Sequence, residues 1–164
     1  MKVVILCGGL GTRMREETEF RPKPLVEIGG KPVLWHVMKI FAHQGLRDFT
    51  LCLGYKGNLI KEYFLNYEAM NNDVVVQLGV RSSVKYLGEH AEQDYTVTLV
   101  DTGATAMTGA RVKRVQRHLG GERFIVSYGD GLADVDVNKL LAFHEQHRRL
   151  ATVTTVRVPA GPNP

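Results

Sequence analysis

The segment KVVIL, Lys2 to Leu6, does not alternate apolar with polar residues. A short continuous β-branched run of this kind marks a strand buried on both faces. Such strands belong to parallel sheets covered by helices, so the chain after Leu6 should supply helices between further strands. It does. KPVLWHVMKIFAHQG places Val33, Leu34, Val37, Met38 and Phe41 on one helical stripe, with Pro32 near the first turn and Gly45 as a stop. DFTLCLG reads as a second strand, and NLIKEYFLNY as a helix with Leu59, Ile60, Tyr63, Phe64 and Tyr67 on one face. DVVVQL is a third strand. From Arg81 to Tyr95 the pattern is weak and predicts an excursion, with one further strand around VKYL. TVTLVDTG is then a strand, ARVKRVQRHLGG a helix with Val112, Val115 and Leu119 inward, and RFIVSYGDG a strand. DVNKLLAFHEQH is a helix with Asp136 as N-cap, and ATVTTVRV a last strand. The expected fold is α/β, a Rossmann-like, mostly parallel sheet with helices on both faces, in a single domain over residues 1–164.

A chain of 164 residues can bury a core of its own. Its 21 Lys and Arg against 17 Asp and Glu give a net charge of +4, dispersed along the chain, which suits an anionic small molecule and implies no nucleic acid. Cys7 and Cys52 both fall in strand runs, where a free thiol acts as a small buried hydrophobe. No apolar stretch approaches the ~20 residues needed to span a bilayer, and Met1 runs into the first strand without a leader pattern, so a cytoplasmic protein is expected.

In open parallel sheets ligands bind beyond the carboxyl ends of the strands. The loops after Leu6, Val100 and Tyr128 fall there. The first carries glycines at 8, 9 and 11, whose backbone N–H groups can approach a phosphate because no Cβ intervenes. Two familiar phosphate loops fit it poorly. GxGxxG matches Gly9 and Gly11 but meets Met14, and the next segment, with Pro22 and Pro24, is no Rossmann helix. GxxxxGK[ST] meets Arg13 and Met14 where it needs Gly and Lys. After the glycines come Arg13 and then Lys23 between two prolines, and RPKP is a stiff segment that aims its lysine.

GGLGTRMREET, RPKPLVEIGGKPVLWHVMK, LGYKG, IKEYF, VTLVDTG, MTGARVKRV and YGDG, in that order, resemble the sugar-1-phosphate nucleotidyltransferases over nearly all of residues 1 to about 158. The resemblance is strongest to the cytidylyltransferase members. It implies transfer of a cytidylyl group from CTP to glucose 1-phosphate, giving CDP-glucose and pyrophosphate. It also implies Mg²⁺ and, in full-length relatives, a homo-oligomer. Carried over, Leu6, Cys7, Gly8, Gly9, Leu10, Gly11, Thr12 and Arg13 hold the triphosphate, and Arg13 and Lys23 are the catalytic cations. Thr108 and Arg111 contact nucleotide and sugar phosphate, with Gly129 in the substrate site, and Asp130 is a magnesium ligand. The residue chemistry is compatible: a carboxylate between Gly129 and Gly131 at a strand end can reach a hard cation that fills its other positions with phosphate oxygens and water. Arg111, near the start of its helix, adds to an anion preference there.

Against the family pattern the chain is C-terminally truncated, lacking the sugar side and a second metal aspartate, and residues 104–106 read ATA where an acid and serines are common. A truncated nucleotide-binding domain with little catalysis is therefore a second reading. An NAD(P)-dependent oxidoreductase is a third, disfavoured by Met14 and RPKP. Several other patterns suggest no chemistry. His144 and His147 are three apart, not the four of HExxH. His36 and Trp35 read as packing residues, Asp134 and Asp136 as turn and cap, and RVKRVQRH, with Arg111 excepted, as a solvated basic face.

Overall fold

The computed structural model describes residues 1–9 and 20–156. The described chain forms two compact units, Met1–Leu132 and Ala133–Pro164. In the first, β1 (Lys2–Cys7) is followed by a 3-10 turn (Lys23–Leu25), the short pair β2 (Glu27–Ile28) and β3 (Lys31–Pro32), and helix α1 (Val33–His43). Then come β4 (Asp48–Leu53), α2 (Gly57–Leu65), α3 (Tyr67–Asn71), β5 (Asp73–Gln77), β6 (Ser83–Leu87) and β7 (Thr96–Asp101). The unit ends with α4 (Thr108–Arg114), a 3-10 turn (Gln116–His118) and β8 (Phe124–Tyr128).

Four of these strands make a wholly parallel sheet in the order β7-β4-β1-β8. The KVVIL strand is central, and Val3, Val4 and Ile5 are fully buried, as an uninterrupted apolar run requires. Alternation splits the strand between two faces. Val4 and Leu6 join Cys52, Val100, Val115 and Leu119 in one cluster, with Val112 packed against it, so α4 and its 3-10 extension cover that face. The expected inward trio Val112, Val115 and Leu119 is the one observed, although the helix breaks at Val115 into a tighter turn. Val3, Ile5 and Cys7 point to the other face. The stripe expected on α1 is likewise buried: Val33, Leu34, Val37, Met38 and Phe41, with Ala42 added. Gly45 ends that segment at φ +86°, a backbone state that costs a residue with Cβ.

Two expectations need correction. DVVVQL is a strand, but it does not enter the parallel sheet. It pairs antiparallel with the VKYL segment as a separate hairpin, β5–β6, with every residue exposed. A β-branched run signals extended backbone, and which sheet it joins depends on the nearest free edge. Here that edge is a hairpin partner close by in the chain, with Gln77 set against Ser83. ATVTTVRV was expected as a final strand. Its described part, residues 151–156, is not in a strand, because an extended run is fixed only by a ladder partner and the described residues offer it none. Val153 and Val156 are exposed accordingly.

The second unit holds helix α5 (Val137–His147). Asp136 caps it by accepting from the Lys139 N–H at 2.9 Å, as expected from sequence, and the helix ends at Arg148 in the left-handed region. His144 Nδ1 lies 2.8 Å from Thr152 Oγ1, and His147 stacks on Phe143. Among the described residues no helix is long and apolar enough to cross a membrane.

Candidate active site

The parallel register brings the carboxyl ends of β1, β4, β7 and β8 to one rim. A cavity of about 430 Å³ opens there. Gly8 and Gly9 continue β1 into it, Lys23 and Pro24 form one wall, residues 104–108 another, and Tyr128 and Asp130 close the side after β8. Leu6, Cys7, Thr108 and Arg111 also line it. Residues singled out in sequence are thus brought together from Leu6 at one end of the unit to Asp130 at the other. Leu10, Gly11, Thr12 and Arg13 lie outside the described residues. Gly129 stands just behind the rim, its N–H donating to the Leu6 carbonyl at 3.0 Å.

Lys23 is rooted as its flanking prolines suggest. Pro22 and Pro24 are both buried, and the backbone closes into a tight turn through Leu25 N–H to Pro22 O (2.8 Å) and Val26 N–H to Lys23 O (3.0 Å). Fixed φ at two positions narrows the backbone freedom on either side of Lys23. Its Nζ lies 3.4 Å from Asp130 Oδ2, and both side chains are part-exposed to the cavity. Among the described residues, no three His, Cys, Asp or Glu side chains gather closely enough to hold a metal ion. A lone carboxylate at a strand end can reach only a cation whose other positions are filled by phosphate oxygens and water.

Arg111 occupies a position that sequence did not suggest. Its side chain leaves α4 and runs under the rim, leaving the residue only 5% exposed. One terminal nitrogen, Nη1, donates to Leu53 O (3.0 Å), Thr102 Oγ1 (2.8 Å) and Gly103 O (2.9 Å). The other, Nη2, donates to Gly8 O (2.8 Å) and Ala104 O (3.3 Å). The guanidinium fork thus ties the ends of β1, β4 and β7 together. Burial depresses its pKa, with Arg114 adding to the effect, while Cys52 and Asp101 act the other way. Space for the fork comes from glycine. A Cβ on Gly8 would sit 2.1 Å from Nη1, and one on Gly54 2.5 Å from it. So Gly8 is bare because the arginine fills the space its Cβ would take. Gly54 and Thr102, which sequence reasoning did not single out, complete this arrangement. Thr102 also donates from Oγ1 to Leu53 O at 2.6 Å. Their signal was present in LGYKG and DTG, but only the fold reveals what they accommodate.

Cys7 closes the floor. Its thiol faces inward, 2.8 Å from where a Cβ on Gly129 would stand, so Gly129 is small for packing reasons. Burial pushes the Cys7 thiol far above its ordinary range, helped by Cys52 and by the Asp130 carboxylate and opposed by Arg111, so it stays a neutral thiol. Neither cysteine is in a disulfide, and both are buried.

The comparisons with known proteins agree with this geometry. A nucleotidyl transferase family model matches residues 2–164. The glucose-1-phosphate cytidylyltransferase of Salmonella typhimurium is 48% identical over 161 residues, 97% of this chain and 62% of that protein. A probable glucose-1-phosphate cytidylyltransferase of Bacillus subtilis is 44% identical over 95% of this chain and 60% of its own length. The chain thus spans about three-fifths of the curated relatives it matches. Among solved structures, HddC from Yersinia pseudotuberculosis in complex with GMP-PN superposes with a TM-score of 0.62 at 26% identity, over 87% of this chain and 53% of that one. UDP-glucose pyrophosphorylase with UDP-glucose shares the fold at a TM-score of 0.64 and 16% identity, over 90% of this chain and 54% of that one. A parallel sheet with a glycine-lined cavity at its carboxyl rim, together with a family match over residues 2–164, shows that the chain belongs to the nucleotidyl transferase family.

Proposed function

We propose that this chain carries the nucleotide-binding part of a glucose-1-phosphate cytidylyltransferase, which transfers a cytidylyl group from CTP to glucose 1-phosphate and releases pyrophosphate. The observation that carries the reading is the convergence of Gly8, Gly9, Lys23 and Asp130 on one cavity at the strand ends. The choice of cytosine and of glucose rests on the 48% identity to the Salmonella enzyme, since nothing in the described part of the cavity reads a base.

Two polyanions must meet in this reaction, so the protein's work is to neutralise and orient charge. Backbone N–H groups at Gly8 and Gly9 can lie against phosphate oxygens without a Cβ in the way. Lys23, on its fixed turn, places a cation at the reacting phosphate and holds it there as charge develops on the leaving pyrophosphate. Arg13 is proposed to share that load. Thr108, which lines the cavity wall, is proposed to contact the sugar phosphate or the nucleotide. Arg111 acts from below, where its buried positive charge favours an anion above Gly8 while its hydrogen bonds fix the loop ends. Asp130 would hold Mg²⁺, which when bound supplies Lewis-acid neutralisation of the phosphate oxygens. A homo-oligomer in the full-length relatives, no nucleic-acid or membrane partner and a cytoplasmic setting complete the proposal.

A second reading is favoured by one observation. Among the described residues Asp130 is the sole carboxylate in the cavity wall. A domain that binds nucleotide but turns over little is consistent with it. Pyrophosphate release from CTP and glucose 1-phosphate with Mg²⁺, read beside CTP binding by calorimetry, separates the two. Binding with turnover supports the enzyme, binding alone supports the second reading, and no binding removes both.

A further inference from the structure

The ion pair between Lys23 and Asp130 joins the two groups that the proposed function sends to different partners: a phosphate for the lysine and a divalent cation for the aspartate. Each now occupies the other's charge. The backbone around Lys23 is stiffened by buried Pro22 and Pro24 and by the turn hydrogen bonds, so rotation of its own side chain is the least costly way for Nζ to leave Asp130. No second carboxylate among the described residues lines the cavity with which a cation could recruit Asp130 away from it.

Resting on the reading of Asp130 as the cation ligand, we infer that Lys23 is the resident counter-ion of Asp130 and that a divalent cation reaches this carboxylate only as the lysine is drawn off by a phosphate. Metal and triphosphate then bind as a coupled pair. A bare cation meets an aspartate already paired with an ammonium 3.4 Å away, and must break that pair and repel the ammonium without giving it a new anionic partner. A triphosphate changes both sides of the exchange. Its oxygens accept from the lysine and at the same time complete the coordination shell that one carboxylate leaves open. By linkage the coupling is reciprocal: whatever factor the phosphate adds to metal affinity, the metal adds to phosphate affinity. No bond is made or broken in this exchange, so it precedes chemistry.

The test uses the whole chain and Mn²⁺, whose binding is read by electron paramagnetic resonance of the free ion, so it does not depend on turnover. Lys23→Gln removes the charge at similar length and should bind Mn²⁺ alone roughly tenfold or more tightly than the unaltered chain. Lys23→Arg keeps the charge and should bind it as weakly as the unaltered chain, with far-UV circular dichroism reporting that both variants are folded. Inorganic triphosphate should raise Mn²⁺ affinity strongly in the unaltered chain and much less in Lys23→Gln. Asp130→Asn, combined with Lys23→Gln, should abolish the gained site. Equal Mn²⁺ affinity in the unaltered chain and Lys23→Gln, including no measurable binding to either, overturns the inference, as does a gained site that survives Asp130→Asn. CTP calorimetry is a separate readout: failure there with the Mn²⁺ pattern intact strikes the proposed nucleotide and not the counter-ion exchange.

Discussion

At Arg111 the guanidinium serves five acceptors around three strand ends, in a space shaped by the missing Cβ atoms of Gly8 and Gly54. Arg111→Met would strand several of those acceptors in a buried place. Each lost partner costs about 1–3 kcal/mol, so urea denaturation should show a loss of roughly 3 kcal/mol or more. Arg111→Lys keeps the charge but offers three donors without the planar fork, and should recover only part of that stability. Gly8→Ala should mimic the loss, because its Cβ would fall 2.1 Å from Nη1. Lys23 behaves differently, since among the described residues its ammonium makes one exposed pair, with Asp130, and joins no wider network. Lys23→Ala is expected to leave the denaturation midpoint nearly unchanged and to lower any turnover by roughly 10²–10³, the scale for one preorganised donor, measured by pyrophosphate release. Lys23 and Asp130 could be singled out from proline spacing and a strand-end DG. The structural work of Arg111 could not, because sequence marks it as an anion contact near a helix start and only the fold shows its guanidinium turned under the rim onto main-chain carbonyls.

At the scale of elements, the excursion between β5 and β7 is pinned by a network that the weak sequence pattern concealed. Glu92 accepts from Lys39 on α1 at 2.8 Å and from the Tyr67 hydroxyl at 3.1 Å, and Trp35 Nε1 donates to that hydroxyl at 3.0 Å. Burial alone would raise the Glu92 carboxyl's pKa, but the hydrogen bond and charge of Lys39 outweigh it and hold the pKa below the usual range. The pKa of Lys39 is correspondingly raised, chiefly by that same hydrogen bond. The glutamate's contribution to stability is therefore full above the ordinary carboxylate range and lost as acid titrates it in the folded state. The lysine's is full below the ordinary ammonium range and lost as pH rises through its elevated value. Lys39→Met should cost about 1 kcal/mol near neutral pH, the upper end for a part-exposed pair, and should flatten the acid limb of the stability profile. The hairpin beside this network presents Val74, Val76, Val84 and Tyr86 on one exposed face. Val76→Lys should change stability by no more than about 0.5 kcal/mol while raising the concentration at which the chain associates, followed by light scattering. Strand identity here was legible from β-branching, but sheet membership was not, because residues that pair with a hairpin neighbour and residues that pair with a core strand share the same local preference.

Across the whole molecule, a parallel sheet buried at β1 and β4 sets the ends of four strands on one rim, and the loops leaving that rim line the cavity. That much follows from KVVIL and the alternation of helices with strands, since a right-handed parallel unit leaves its carboxyl ends together. The final expected strand failed for the complementary reason: residues 151–156 have the composition of a strand but no ladder partner among the described residues. The central claim is that the rim cavity is a triphosphate site whose cation is Lys23, and the most direct measurement is calorimetric titration of CTP into the whole chain with Mg²⁺, beside the same titration of Lys23→Ala. A single site per chain that weakens by roughly tenfold or more in the variant is the result expected of one charged hydrogen bond to phosphate. No binding of CTP, or binding with the same affinity in both proteins, would contradict it.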